Sequence, residues 1–324
     1  MYVVEGAMFM KKMGMIIYAI AGMLSLIPAA FPETTVEPQG QGQGVVTVLP
    51  KNGRESSINI LQRDLQLKVN GRLSNITEWL PLREHNTNLE MVLLIDSSAR
   101  ASLGLQFGEI AEFIRSLSPD VKVAVGYMNA GRAVMAGPLS TNHDEVVNEF
   151  RIPGATAGSN ASPYFCLSDL AKHWPSTDRT ARREAVLITD GVDNYGERLD
   201  MNDQYVKTAI DDSIRAGLVI YSIFWPNQGY ADRSGSESFD GQNLLAQVTQ
   251  ATGGYSYWMG RRQPVSLSTY FEDIAWRLKN QYRLSFHSLL KGKPQIQDIE
   301  LKVNNSSTEV YAPQGVFITN SSGK

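Results

Sequence analysis

The sequence has very little cysteine, since Cys166 is the only one in 324 residues. A single cysteine excludes an intrachain disulfide framework and any zinc site built on a cysteine cluster. The four histidines, His85, His143, His173 and His287, are far apart, and no pair of them has metal-ligand spacing. Positive charge is not in excess either: the formal net charge is −3, which argues against nucleic acid as a partner.

Common catalytic motifs are also missing. The sequence has no Gly-x-Ser-x-Gly nucleophile elbow and no Gly-x-x-x-x-Gly-Lys phosphate loop. Cys166 and His173 are a conceivable thiol and base, but seven residues along one helix separate them by about 10 Å, too far for a hydrogen bond. We therefore expect Cys166 to be a core residue and the chain not to be an enzyme.

The N-terminus has the pattern of an export signal. Lys11 and Lys12 precede an uncharged, apolar stretch that covers residues 13–31. That stretch is about long enough to span a bilayer. We expect residues 1–31 to be a cleaved signal peptide or a retained membrane anchor, and the protein to be periplasmic or secreted, either free or attached to the membrane through residues 13–31.

Composition divides the remaining chain into a linker, two β flanks and a central domain. Residues 32–44 are rich in Pro, Gln and Gly, which predicts a flexible linker. Residues 45–85 have strand-like runs and a hairpin signal at Asn70-Gly71, and residues 281–320 are strand-like again. We expect these flanks to pack together as a small β domain; two separate β elements are the alternative.

The central residues 86–280 alternate apolar strands with amphipathic helices. This pattern predicts an α/β fold with a doubly wound, mostly parallel sheet and helices on both faces. Two of the apolar strands end at Asp96 and Asp190. Because ligands of such sheets bind beyond the carboxyl ends of the strands, we expect the two aspartates to meet at the functional edge. Residues 226–242 are expected to be an irregular surface loop.

The residues around these aspartates carry a family resemblance. The segment Asp96-Ser97-Ser98-Ala99-Arg100 resembles the metal-ion-dependent adhesion site (MIDAS) of von Willebrand factor A-type (VWA) domains, whose pattern is Asp-x-Ser-x-Ser. Thr189-Asp190-Gly191 resembles the third loop of that site. The chain is also similar to the exported VWFA-related proteins of Acidobacteria. The resemblance implies a VWA domain and a Mg²⁺ site, because hard oxygen ligands suit that ion.

The resemblance also implies which residues form the site. Its metal ligands would be Asp96, Ser98, Ser162 and Asp190. Ser162 stands in the place of the family's threonine, and Ser159 is the second candidate for that role.

The sequence departs from the family pattern at Arg100, where the family has a serine. An arginine removes one ligand and brings a permanent positive charge near Asp96 and Asp190. Three outcomes are open. The guanidinium bridges the two carboxylates in place of the metal, or it points to solvent beside a weaker Mg²⁺ site, or the site has lost its binding role.

These observations predict an exported protein that binds a protein or a surface polymer in an adhesion-type interaction. The partner-binding edge would include Arg100, Ser159 and Asp193, and a bound Mg²⁺ would polarise an acidic group of the partner. The alternative is a structural scaffold subunit that assembles through its β flanks and has an inactive metal site.

Overall fold

The computed structural model describes residues 39–54, 59–83, 88–99, 101–151, 162–192, 203–226, 235–258, 260 and 262–320. The predicted export segment lies outside these residues. Within them, no helix has the length and apolar character needed to cross a bilayer.

The helices and strands follow one another along the chain in a fixed order. They are β1 (Gln39–Pro50), β2 (Leu65–Val69), β3 (Arg72–Ser74), β4 (Ile76–Pro81), β5 (Leu89–Asp96), α1 (Phe107–Ser116), β6 (Lys122–Asn129), β7 (Arg132–Met135), α2 (His143–Glu149), α3 (Pro163–Lys172), β8 (Arg182–Thr189), α4 (Gln204–Ala216), β9 (Leu218–Phe224), α5 (Gly235–Thr252), β10 (Tyr255–Tyr257), α6 (Ser268–Lys279), β11 (Gln281–Leu289), β12 (Gln295–Val303), β13 (Thr308–Tyr311) and β14 (Gly315–Asn320).

The larger sheet has eight strands and contains segments from both ends of the described chain. Its order is β3-β2-β12-β14-β1-β11-β4, and β13 pairs with β1 outside this path. β1 runs antiparallel to β11 from Gln39 opposite Leu289 to Thr47 opposite Gln281. β4 lies on the other side of β11, and β12 pairs with β2. The two flanking segments therefore contribute strands to the same sheet.

The smaller sheet has six strands in the order β10-β9-β8-β5-β6-β7. Its neighbours run parallel, except that β7 is antiparallel to β6. Alternate residues of β5 enter two different apolar clusters: Leu93 packs in a cluster with α1 and α6, and Leu94 in one with α3, α4 and α5. Every residue of β5 is buried, which explains its continuous apolar sequence.

The predicted fold class is wrong. We expected a doubly wound, mostly parallel α/β sheet with a small β domain beside it. The antiparallel sheet is the larger of the two, and the second sheet is mixed. The error arose in the flanks, where strands were missed or merged, so that the share of antiparallel structure was underestimated.

The Gln-Gly repeat at residues 39–44 is strand and not part of a flexible linker, contrary to expectation. Along this half of β1 the glutamines are exposed, while Gly40 and Gly42 are buried. A Cβ at Gly42 would lie 2.5 Å from Cζ of Phe286, since the aromatic ring and Ile318 already fill that space. The repeat therefore has the period of two of a strand, with glycine on the side that has no room for a side chain.

Two further differences have local causes. The single strand expected over residues 310–318 is divided into β13 and β14, and Pro313, which has no N–H to donate, lies in the break. The surface loop expected over residues 226–242 contains the start of α5 at Gly235. The apolar pattern of that helix begins only at Leu244, so its first turns have no helical periodicity to predict them. By contrast, the hairpin at Asn70-Gly71 is confirmed, with both residues at positive φ.

A buried polar cluster connects the two sheets. Nη1 of Arg182 donates to Oε1 of Gln281 at 2.6 Å, and Nε2 of Gln281 donates to the hydroxyl of Tyr221 at 3.1 Å. Glu184 is completely buried beside them, with Oε1 3.6 Å from Nε of Arg182. Burial raises the pKa of Glu184 to about 7, although the positive charge of Arg182 opposes the shift.

Prediction: Gly42→Ala destabilises the protein, because the new Cβ overlaps the Phe286 ring. We expect the free energy of unfolding, measured by urea denaturation, to fall by about 1–3 kcal/mol. Gln43→Ala, one residue along on the exposed side of β1, should change it by less than about 0.5 kcal/mol. Equal effects of the two changes would mean that β1 is not packed as described.

Prediction: stability falls as the pH rises from 5 to 8 because of Glu184. Its carboxyl binds a proton more tightly when folded, at a pKa of about 7, than at the ordinary value of 4.5. This contribution is complete below pH 4.5 and is lost as the pH passes 7, a change of up to about 3 kcal/mol. Glu184→Gln should flatten the pH profile of the urea midpoint, whereas the exposed Glu112→Gln should not; identical profiles for all three proteins would contradict the assignment.

Candidate functional site

Asp96 ends β5 and is completely buried. Its Oδ1 accepts hydrogen bonds from the backbone N–H of Ser98 at 2.8 Å and from its hydroxyl at 2.6 Å, and its Oδ2 accepts one from Thr189 Oγ1 at 2.7 Å. Ile95 lies opposite Ile188 in the parallel pairing, so the next residues, Asp96 and Thr189, are level with each other. The carboxylate is therefore fixed in orientation, and its bonds join the carboxyl ends of β5 and β8.

Asp190 follows β8 directly and is also buried. Its Oδ1 accepts a hydrogen bond from the N–H of Val192 at 3.0 Å. Gly191, between them, has a φ of +70°, and a Cβ there would lie 2.5 Å from the carbonyl oxygen of Gly241. Only glycine fits this position, so close packing against α5 fixes the path of the loop that carries Asp190.

Ser162 immediately precedes α3 and is completely buried. Its φ of +47° is unusual for a residue other than glycine, and such backbone costs on the order of 1–3 kcal/mol. Two residues later, the hydroxyl of Tyr164 donates to the carbonyl oxygen of Gly191 at 2.6 Å. This bond brings the segment of Ser162 against the loop that follows β8.

The negative charge of Asp96 affects the thiol of Cys166 in the first turn of α3. Burial raises the pKa of the Cys166 thiol, and the nearby negative charge of Asp96 raises it further. Cys166 is a completely buried core residue, as predicted. His173 is exposed, and its Nδ1 lies 3.0 Å from Oδ1 of Asp169. The imidazole is therefore engaged at the surface, and the thiol is held in its protonated form.

The predicted site residues fall into a group that is buried and a group that the structure does not describe, and the role of each residue stays a prediction. The buried group, at the carboxyl edge of the mixed sheet, consists of Asp96, Ser98, Ser162 and Asp190. The other group, Arg100, Ser159 and Asp193, lies outside the described residues, and its roles stay predictions.

Sequence reasoning missed two residues that hold this site together. Thr189 bonds Asp96, and its position just before Asp190 at the end of an apolar strand could have indicated this role. Tyr164 joins α3 to Gly191, and no periodicity or motif spacing pointed to it.

The oxygen atoms of this edge fit Mg²⁺ by type. Across the described ranges there is no cluster of three or more His, Cys, Asp or Glu side chains suited to a metal. The candidate edge instead offers two carboxylates and two serine hydroxyls, which are hard oxygen ligands. Because the Ser98 hydroxyl donates a hydrogen bond to Asp96, the lone pairs of its oxygen remain for a cation.

Some solved structures resemble parts of the chain. An aerotolerance-related membrane protein from Bacteroides fragilis NCTC 9343 matches with a TM-score of 0.42 and 13% identity, over 59% of this chain and 98% of that one. BatB from Bacteroides thetaiotaomicron matches with a TM-score of 0.41 and 14% identity, over 59% and 97%. The pilus adhesin SpaC from Lactobacillus rhamnosus GG matches with a TM-score of 0.43 and 9% identity, over 83% and 50%.

Both the sequence identities and the TM-scores are low, and these similarities do not indicate the function of the chain. No protein-family model matches the sequence, and no curated protein matches it. The VWA fold therefore stays an expectation that rests on the resemblance of the residues around Asp96 and Asp190.

Prediction: Ser98→Ala and Thr189→Val each destabilise the protein, because each removes a hydrogen bond to the buried Asp96 carboxylate. Urea denaturation should show a loss of about 1.5–3 kcal/mol for each change. Ser97→Ala, in the same loop, is the matched control and should have little effect. A loss at Ser97 as large as at Ser98 would contradict the hydrogen-bond arrangement.

Proposed function

We propose that this chain is an exported binding protein that recognises an acidic group of a protein or surface polymer. The observation that carries the proposal is the buried Asp96 carboxylate, held in one orientation by Ser98 and Thr189 at the carboxyl edge of the mixed sheet. A buried negative charge is costly unless a positive charge compensates it. We propose that a cation at this edge compensates the charge and attracts the acidic group of the ligand.

The proposed cation is a Mg²⁺ held by oxygen atoms of three segments. Ser98 offers its hydroxyl oxygen, oriented by the bond to Asp96, and Asp190 and Ser162 contribute from the two other segments. A bound Mg²⁺ supplies the positive charge that attracts an acidic group of the partner. The arginine of the first loop, Arg100, is the competing source of that charge.

We propose binding rather than catalysis at this site. The thiol of Cys166 borders the site but is buried, and its raised pKa keeps it protonated and therefore a poor nucleophile. We also propose that the protein works outside the cytoplasm. That part rests on Lys11, Lys12 and the apolar residues 13–31.

A scaffold role is the second candidate, and the size of the antiparallel sheet favours it. Its eight strands, drawn from both flanks, are the elements through which such a subunit would assemble. Asp190→Ala separates the two functions, because loss of partner binding would exclude a scaffold that works through its flanks alone.

Prediction: the full chain, kept in detergent, binds Mg²⁺ and Mn²⁺ in calorimetric titration, and Asp96→Ala abolishes the binding. Ser98→Ala should weaken it, and Ser97→Ala should leave it unchanged, because only Ser98 is oriented by Asp96. An Arg100→Ser version tests the competing cation.

The outcomes of this titration are distinct. Binding by the native chain that depends on Asp96 supports a metal-mediated site. Binding by the Arg100→Ser version alone would show that the arginine is the cation and that recognition is independent of metal. Absence of binding in both would exclude the Mg²⁺ part of the proposal.

A further inference from the structure

A cleft of about 460 Å³ lies between the two sheets, at the opposite edge of the mixed sheet from Asp96. One wall is the amino edge of the mixed sheet, residues 179–183 together with residues 214–219. The other wall is made by β1 and β14, through residues 41–45 and 315–317. Its volume is within the range of ligand-binding clefts.

The charged residues that line this cleft are all positive, although the whole chain has a net charge of −3. No Asp, Glu, His or Lys is among its lining residues. The charged residues that line it are Arg179, Arg182, Arg183, Arg215 and Arg283. Such a surface favours an anionic ligand.

Three of these arginines have carboxylate partners outside the lining. Arg182 lies near Glu184, Arg215 near Asp212, and Arg283 near Glu78. These pairs neutralise part of the positive charge and hold the side chains in place.

The other two, Arg179 and Arg183, form no ion pair with a residue that the structure describes. Arg183 is fixed in place: its Nη2 donates to the carbonyl oxygens of Ser176 at 3.1 Å and Asp178 at 2.9 Å, and its guanidinium lies 5.7 Å from the centre of the Trp174 ring. Arg179 is exposed beside it. Glu90 and Asp178 lie near Arg183 and offset part of its charge, so the exposed guanidinium of Arg179 is more available to an anion.

The same cleft exposes a stretch of strand that has a partner on one side only. β1 pairs with β14 at Gly40 and Gln41 and with β13 from Thr47 to Pro50. Between these contacts, over residues 42–46, its one strand partner among the described residues is β11. Residues 42–45 line the cleft, so the main chain of β1 borders it at the point where β13 and β14 diverge.

We propose that this cleft binds an acidic peptide segment in extended conformation. Its main chain would pair with residues 42–45 of β1, and its carboxylates would contact Arg179, Arg183 and Arg215. A phosphate or a sulfated polysaccharide would match the positive charge of the cleft but could not pair with the strand. A peptide also offers the alternating N–H and C=O groups that complete the open side of a strand. This site is separate from the Asp96 edge and does not depend on the function proposed for it.

The test is fluorescence anisotropy with a labelled octapeptide of alternating Glu and Thr and the full chain. We expect saturable binding, and little binding of a peptide in which Lys replaces each Glu. Arg179→Glu should weaken binding roughly 10-fold, because a charge-assisted hydrogen bond is lost, and the Arg179→Glu/Arg215→Glu double variant should weaken it further. Arg63→Glu, an exposed arginine outside the cleft, should have no effect, and Asp190→Ala should bind as the native chain does.

A second probe tests the main-chain pairing. The same octapeptide, N-methylated at alternate residues, keeps its carboxylates but loses the N–H donors on one side. When methylation faces β1, we expect binding to fall at least 10-fold. Undiminished binding of both N-methylated registers would overturn the strand-addition mode. The proposal would equally be overturned by no binding of the Glu peptide, by equal weakening in Arg63→Glu, or by polyphosphate or heparin binding that the Glu peptide cannot displace.

Discussion

The antiparallel pairing of β1 with β11 is the constraint on which the rest of the molecule depends. It joins the beginning of the described chain to its last third, from Gln39 opposite Leu289 to Thr47 opposite Gln281. Because β4 pairs with the other side of β11, the chain leaves for the mixed sheet and returns from it at neighbouring strands. The glycines of the Gln-Gly repeat make this pairing possible, since Phe286 and Ile318 occupy the space of their missing side chains.

This arrangement gives β8 two ends with different surroundings. At its start, Arg182 and Arg183 border the seam between the two sheets, and at its end Thr189 leads to Asp190 at the free edge. Eight residues of strand separate these ends by about 25 Å. The polar cluster of Arg182 with Gln281 holds the first end against the antiparallel sheet.

Some features of the fold and of the candidate site could be predicted from local sequence patterns. The Asn70-Gly71 turn and the strand ends at Asp96 and Asp190 depend on short-range patterns that the sequence displays directly. The fold class depends on pairing between distant segments, which local patterns do not specify, and glycine inside a sheet has the composition of a linker. The bond from Thr189 to Asp96 requires knowledge of the strand register, which only the folded chain provides.

The central claim is that the Asp96 edge uses a divalent cation for recognition, and a crystal structure of the protein grown with Mn²⁺ tests it most directly. The account predicts an anomalous-scattering peak in contact with the hydroxyl oxygens of Ser98 and Ser162 and near the carboxylates of Asp96 and Asp190. A map without that peak, in which the Arg100 guanidinium lies between the two carboxylates, would contradict it.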